Sequence, residues 1–311
     1  MWTRKLTIIF SDTMKNETGS TDGQQNFRFG FGSFVDRPMA PFINPLKKDN
    51  PCTEQEPCHP TYTFWNNQKI TANYQTVERA LKSTSTSSNI DMPEDGLTAM
   101  IQSIECNNDI GWRSTNFKIL IFSSDAPVKV AGDGIVAGLI EPNDGQCHMD
   151  ADRYTKETEY DYPSIGRVLK VIREAEVAVI LAVTKENHAF YENFRDEINK
   201  IGKAELGELS EDSDNVVDLI RDEYKKLIEH IKFQNENLPE ELKLTVVSEC
   251  EPGVDTNQPS CDGVQANQSV KFKVQLEMKK GPARKYKFRI FIFYYIKMGC
   301  FYEIFLKAHK S

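Results

Sequence analysis

Two short apolar runs, Lys118 to Phe122 (KILIF) and Val177 to Val183 (VAVILAV), constrain this chain more than any other feature. Neither run alternates with polar residues, so a strand built from it must be covered on both faces. Helices supply the cover. Glu94 to Cys106 places Leu97, Met100, Ile101 and Ile104 on one stripe, and Ser164 to Ala175 does the same with Ile165, Val168, Leu169 and Ile172. Asp214 to Ile231 carries the longest such stripe, from Val216 through Tyr224 to Ile231, with Ser213 or Asp214 as its cap. Strands separated by helices of this length need right-handed crossovers, so the expected class is α/β: a doubly wound, mostly parallel sheet with helices on both faces.

Two further strands belong to the same region. Phe27 to Phe34 (FRFGFGSF) alternates aromatic with small or polar residues, and Ala204 to Leu209 has a weaker strand pattern. After about residue 235 the pattern changes. Leu242 to Val247, Val270 to Met278 and Lys285 to Phe293 alternate as strands with no helix between them, which marks a separate all-β piece beginning near Pro239. A chain of 311 residues has room for one large core and one smaller one.

The formal net charge of −8 argues against a nucleic-acid partner, because phosphate-tracking surfaces need clustered Lys and Arg. Of seven cysteines, six fall into neighbours along the chain (Cys52 and Cys58, Cys106 and Cys147, Cys250 and Cys261), leaving Cys300 over. No CxxC or Cys/His metal spacing occurs, so disulfides in an oxidising compartment fit better than reduced thiols. Sequons at Asn16 and Asn267 point the same way. The N-terminus lacks the apolar stretch of a secretory signal, and Ile290 to Ile296 falls well short of the roughly 20 residues that span a bilayer. A secreted-style body without a signal or a span is therefore expected to be a fragment or the product of an incomplete gene model.

The chemistry concentrates in Asn89-Ile90-Asp91-Met92-Pro93-Glu94-Asp95-Gly96. In an extended loop Asn89 and Asp91 point the same way, Pro93 leaves a free carbonyl, and Glu94 stands at a helix start. Hard cations such as Ca2+ and Mg2+ take such oxygen donors. The plainer explanation is an acidic helix N-terminus, which the helix dipole favours anyway. Two further acids weigh against it: Asp125 follows the buried strand, at the carboxyl end where open α/β sheets hold ligands, and Asp36 ends FRFGFGSFV in the same manner. An enzyme finds less support, since the five histidines are scattered and no HExxH, GxSxG, Walker-type or GxGxxG motif is present.

FRFGFGSFVDRP (27–38), NPCTEQEPC (50–58), DMPEDG (91–96), IGWR (110–113), PNDGQCH (142–148), YDYPSI (160–165) and LPEEL (238–242) together resemble integrin β subunits, in that family's order and at similar spacing. The resemblance implies a von Willebrand A-like βI domain over residues 1–234, part of a hybrid β-sandwich over 235–290 and a divergent tail over 291–311. It implies a cell-adhesion receptor, not an enzyme, that pairs with an integrin α subunit and binds acidic side chains of matrix or cell-surface proteins through divalent cations. Carried over by position, Glu94 and Asp125 would bind Mg2+, while Asp36, Asn89, Asp91, the Pro93 carbonyl and Glu94 would bind Ca2+. Cys52 to Cys58 resembles the family's small ligand-tuning loop.

Departures accompany the match. The family's Asp-x-Ser-x-Ser strand aligns best with Ile9, Ser11 and Thr13, so Ser11 and Thr13 take the serine positions while the Asp is replaced, and too few residues follow for the usual long helix. Ile135 stands where the family carries the basic residue that inserts into the α subunit. The expectation is a Ca2+ site retained more fully than the Mg2+ site. The rivals are an adhesion-incompetent fragment that keeps only a Ca2+ site and, remotely, a Mg2+-dependent hydrolase.

Overall fold

The structure, a computed structural model, describes residues 6–13, 27–53, 55, 57–113, 117–210, 215–229, 231–236, 238–251, 254–256, 258–261, 271–278, 285–293 and 302–307. The sequons at Asn16 and Asn267, and Cys300, lie outside them. Two compact units divide between Glu223 and Tyr224. That division falls inside a helix, whereas the sequence pattern put the change of character near residue 235.

The first unit alternates strands and helices: β1 (Leu6–Thr13), β2 (Phe27–Phe34), β3 (Phe64–Thr71), α1 (Tyr74–Ser83), α2 (Gly96–Glu105), α3 (Asn107–Ile110), β4 (Phe117–Ser124), β5 (Met149–Asp150), β6 (Arg153–Tyr154), α4 (Ile165–Ala175), β7 (Val177–Thr184), α5 (His188–Asn199), β8 (Ala204–Leu209) and α6 (Val216–Glu229), which runs across the division. Among the described residues the sheet has the order β5-β6-β3-β2-β1-β4-β7-β8. The α/β, von Willebrand A-like class holds, but the expected mostly parallel sheet does not: among the described residues only its β4-β7-β8 part is parallel. Parallel pairing joins β4 to β7 and β7 to β8, while the remaining neighbours pair antiparallel.

The two apolar runs are the sheet's interior, as their composition requires: every residue of β7 is buried, and Ile119, Leu120, Ile121 and Phe122 of β4 are all buried. Leu97, Met100, Ile101 and Ile104 of α2 and Val168 and Ile172 of α4 pack in the same core cluster as Leu120, Phe122, Val179 and Leu181. Each such side chain contributes about 1.5–3 kcal/mol on burial. The α2 helix starts hard against β4. A Cβ on Gly96 would sit 2.6 Å from the Phe122 ring, so only glycine lets the helix begin there. Asp95 caps it, accepting the Thr98 N–H at 3.2 Å, and Ser164 caps α4 in the same way through the Arg167 N–H.

Three elements stand outside the segments singled out from the sequence: β3, α1 and α5. The β3 strand (FWNNQKIT) is polar through its middle, whereas α5 (HAFYENFRDEIN) does carry Tyr191, Phe194 and Ile198 at helical spacing and buries all three.

The second unit is all-β after α6: β9 (Ile231–Glu236), β10 (Leu242–Glu251), β11 (Val254–Thr256), β12 (Ser260–Cys261), β13 (Lys271–Met278), β14 (Lys285–Phe293) and β15 (Tyr302–Lys307). They form sheets in the orders β11-β10-β13 and β12-β9-β14-β15, antiparallel throughout. Strand β15 and the end of β14 lie where the sequence comparison expected a divergent tail. Disulfides join Cys52 to Cys58, Cys106 to Cys147 and Cys250 to Cys261. Among the described residues no helix is long and apolar enough to cross a membrane.

Candidate cation site

Strands β2 and β4 point the same way across β1, so the residues following each emerge at one edge of the sheet. Asp36 follows β2 and Asp125 follows β4. Backbone hydrogen bonds tie the 89–96 loop to both: the Asp95 N–H donates to Val35 O at 2.8 Å, the Glu94 N–H to Pro127 O at 2.9 Å, and the Lys129 N–H to Glu94 O at 2.9 Å. The last two bracket a parallel bridge between Glu94 and Val128. The lacing draws acidic residues from distant stretches of chain into one place.

At its centre the Asn89 amide reaches three carboxylates, with Nδ2 3.3 Å from Asp36 Oδ2, 3.4 Å from Asp91 Oδ1 and 3.1 Å from Glu94 Oε2. Asp36 and Glu94 are buried, and the Asp91 carboxylate is partly open to solvent. Pro93 is half-buried immediately before Glu94. Of the expected Ca2+ ligands, Asp36, Asn89, Asp91 and Glu94 are thus brought together, with Pro93 between the last two.

The sequence pattern did not single out Lys129. Its ammonium pairs with Asp36 Oδ2 and, at 2.8 Å, with Asp91 Oδ2, and its side chain is 4% exposed. The Nζ lies 3.7 Å from the centroid of the Phe42 ring. Tyr162 closes the other side, its hydroxyl donating to Asp36 Oδ1 at 2.6 Å. Burial pushes the Asp36 carboxyl up to about 6, against the pull of the Lys129 charge. Burial and the neighbouring Asp36 carboxylate together hold the Tyr162 hydroxyl protonated.

Asp125 follows β4 at the same edge of the sheet. Its backbone carbonyl accepts the Asn187 amide at 3.0 Å, and the next residue's carbonyl accepts the Tyr191 hydroxyl at 3.0 Å. Burial raises the Tyr191 hydroxyl above its ordinary range, and the Asp125 and Glu94 carboxylates both add to the rise.

Ser11 and Thr13 are corrected by the register. Strand β1 runs antiparallel to β4, with Thr7 opposite Ser123, Ser11 opposite Ile119 and Thr13 opposite Phe117. Phe117 and Ser124 are the two ends of the eight-residue strand β4, a span of roughly 23 Å at the usual strand rise. The direction of β1 therefore carries Ser11 and Thr13 towards the opposite edge from Glu94 and Asp125.

Supporting groups lie within the motifs already quoted. Arg37 and Asp95 form a fully buried ion pair at 3.0 Å beneath the loop. Asp161 accepts the N–H groups of Gly132, Gly134 and Tyr162 at 2.6, 2.9 and 2.8 Å, holding the segment after Lys129. A Cβ on Gly134 would stand 2.5 Å from Asp161 Oδ1, so that clamp needs glycine. Ile135, the departure noted from the sequence, is 61% exposed beyond it.

A second grouping, Cys106, Asp109 and Cys147, offers no metal site, because both sulfurs are spent in one disulfide and no thiolate remains. The three carboxylates gathered here do fit a hard cation. Asp36, Asp91 and Glu94 bring three carboxylates against the single Lys129 ammonium, a formal surplus of two negative charges (3 − 1 = 2).

Comparison with known proteins identifies the relatives of this chain. A family model described as the integrin beta chain VWA domain matches residues 4–231. Integrin beta pat-3 of Caenorhabditis elegans is 41% identical over 260 residues, which cover 81% of this chain and 32% of that protein. Integrin beta-2 of Bos taurus is 40% identical over 255 residues (80% and 33%), and integrin beta-PS of Drosophila melanogaster 35% over 276 residues (88% and 31%). The chain spans about a third of the length of these curated relatives.

Proposed function

We propose a cation-dependent adhesive role for this chain, which belongs to the integrin β family of cell-adhesion receptor subunits. In this reading Asp36, Asn89, Asp91, the Pro93 carbonyl and Glu94 hold Ca2+, and Glu94 is shared with a weaker Mg2+ position completed by Asp125. The Mg2+ ion would supply an open coordination position for an acidic side chain of the bound protein. The chain's own residues set the rest: Glu94 is fixed by its backbone bridge to Val128, and Asp36 by Tyr162. The whole receptor would work at the cell surface, paired with an α subunit.

The observation that carries this reading is the Asn89 amide within 3.4 Å of carboxylates from Asp36, Asp91 and Glu94, the first of them 53 residues away in sequence. Titrating chelator-treated protein with Ca2+ in a calorimeter tests it. Asp91→Ala, at a partly exposed position, should weaken binding at least about tenfold by removing one charged ligand. Failure of the unaltered chain to bind at millimolar Ca2+ sinks the reading.

Affinity should also depend on pH. Asp36 must give up its proton to ligate, so Ca2+ binding should strengthen about tenfold per unit as pH rises towards about 6, then level off. Without metal the sign reverses. The fold holds the Asp36 proton more tightly than the unfolded chain does between the ordinary value of 3.8 and about 6. Its contribution to stability is therefore complete below the ordinary value and lost as pH rises through about 6. Unfolding curves in EDTA across that range should show the fall, and Asp36→Asn should flatten it.

One observation favours a second reading, a head that holds Ca2+ without binding ligand: the register that takes Ser11 and Thr13 away from Glu94 and Asp125 leaves the Mg2+ position poor in donors. Co-expression with α subunits followed by a pull-down, with and without Mg2+, separates the two.

A further inference from the structure

We propose that Lys129 is a tethered cation for the cluster of Asp36, Asp91 and Glu94, and that its ammonium and Ca2+ compete for the same carboxylate oxygens. The inference rests on the reading of that cluster as a Ca2+ site. It concerns what the cluster does when no metal is bound.

Lysine usually keeps its ammonium in water and lays only its stem on apolar surface. Lys129 does the reverse, at 4% side-chain exposure, with its ammonium on Asp36 Oδ2 and Asp91 Oδ2. The position is built from several directions. The Lys129 N–H donates to the Glu94 carbonyl at 2.9 Å, so the stem starts beside the candidate ligand loop. The Phe42 ring centroid lies 3.7 Å from Nζ and the Tyr162 centroid 5.5 Å. Aromatic faces attract an ammonium, whereas a hard divalent ion gains nothing from them and needs oxygens.

The consequence follows from charge. Asp36 and Glu94 are buried, and three carboxylates gathered by one amide would repel one another if no cation stood among them. Lys129 neutralises part of that charge from within the chain, so the loop is assembled before metal arrives. The same contact weakens metal binding. An ion that takes Asp36 Oδ2 and Asp91 Oδ2 must either displace the ammonium or sit beside a like charge. Asp91, on the solvent side, is the carboxylate through which exchange would begin.

The test uses the full chain with Lys129→Met, Lys129→Gln and Lys129→Arg. Two quantities are read for each: the Ca2+ dissociation constant by calorimetry, and the thermal midpoint in EDTA and in excess Ca2+. Lys129→Met should bind Ca2+ at least about tenfold more tightly than the unaltered chain, unfold at a lower temperature in EDTA and recover when Ca2+ is added. Lys129→Arg, which keeps the positive charge, should bind Ca2+ less tightly than Lys129→Met. If Lys129→Met does not fold, Lys129→Gln, with a polar tip but no charge, carries the same expectation. A folded neutral variant that binds Ca2+ no more tightly than the unaltered chain overturns the competition while leaving the Ca2+ reading in place. Binding by the neutral variant alone upholds the competition and overturns Ca2+ occupancy of the unaltered chain. Binding by neither overturns both.

Discussion

Replacing Arg37 with methionine should destabilise the first unit by about 3–5 kcal/mol, the usual cost of leaving a buried partner charge uncompensated. Both side chains of the pair with Asp95 are fully buried, at 3.0 Å. The guanidinium also donates to Thr98 Oγ1 at 3.2 Å and lies over the rings of Tyr162 and Tyr154, with its carbon 5.0 and 5.4 Å from their centroids. Burial raises the Asp95 carboxyl and Arg37 opposes that rise, so methionine would leave Asp95 to be protonated or unpaired. Chemical denaturation at neutral pH measures the loss. Adding Asp95→Asn, which keeps an α2 cap but removes the charge, should recover most of it. A single variant costing less than about 1 kcal/mol would show that the ion pair is not what holds this part of the fold. Because Asp95 adjoins Glu94 at the start of α2, Ca2+ affinity should fall with stability.

Loss of the Cys106–Cys147 disulfide is the second large effect. The bridge closes a sequence separation of 41, for which loop-closure entropy corresponds to about 4 kcal/mol. Most of that would come from the unfolded chain, because the folded loop keeps other ties. The Gln102 amide donates to Gln146 O at 2.8 Å while its carbonyl accepts the His148 N–H at 2.7 Å. The Cys106→Ser/Cys147→Ser variant should therefore keep a native-like circular dichroism spectrum yet unfold at a much lower denaturant concentration. A shift of less than about 1 kcal/mol would place the tether in the Gln102 contacts instead. Ca2+ affinity should change little, since Asp36, Asn89, Asp91 and Glu94 all precede Cys106, and Val128 and Lys129 within the bridged span stay tied to Glu94 by their own backbone contacts.

Much of the architecture is legible without coordinates. KILIF and VAVILAV announce strands covered on both faces, and they are β4 and β7. The stripes of α2 and α4 identify the helices that cover them, and Asp95 and Ser164 cap them through local side-chain hydrogen bonds. The acids of the 89–96 loop share one short segment, so their proximity to one another is nearly a property of the chain. Asp36 and Asp125 could be placed at a sheet edge because each follows a strand.

Strand direction and charge pairing were another matter. Ser11 and Thr13 have the right residue types, but β1 lies antiparallel to β4, and no local pattern encodes which way a strand enters a sheet. Lys129 sits in an unremarkable loop and meets Asp36 from 93 residues away; Tyr162 meets the same carboxylate from 126. Arg37 and Asp95 stand inside recognised motifs, yet only packing shows that each is buried against the other. Periodicity, caps and turns act between near neighbours and can be read from order alone. Which charge neutralises which depends on contacts between distant segments, and those exist only once the chain has folded around them.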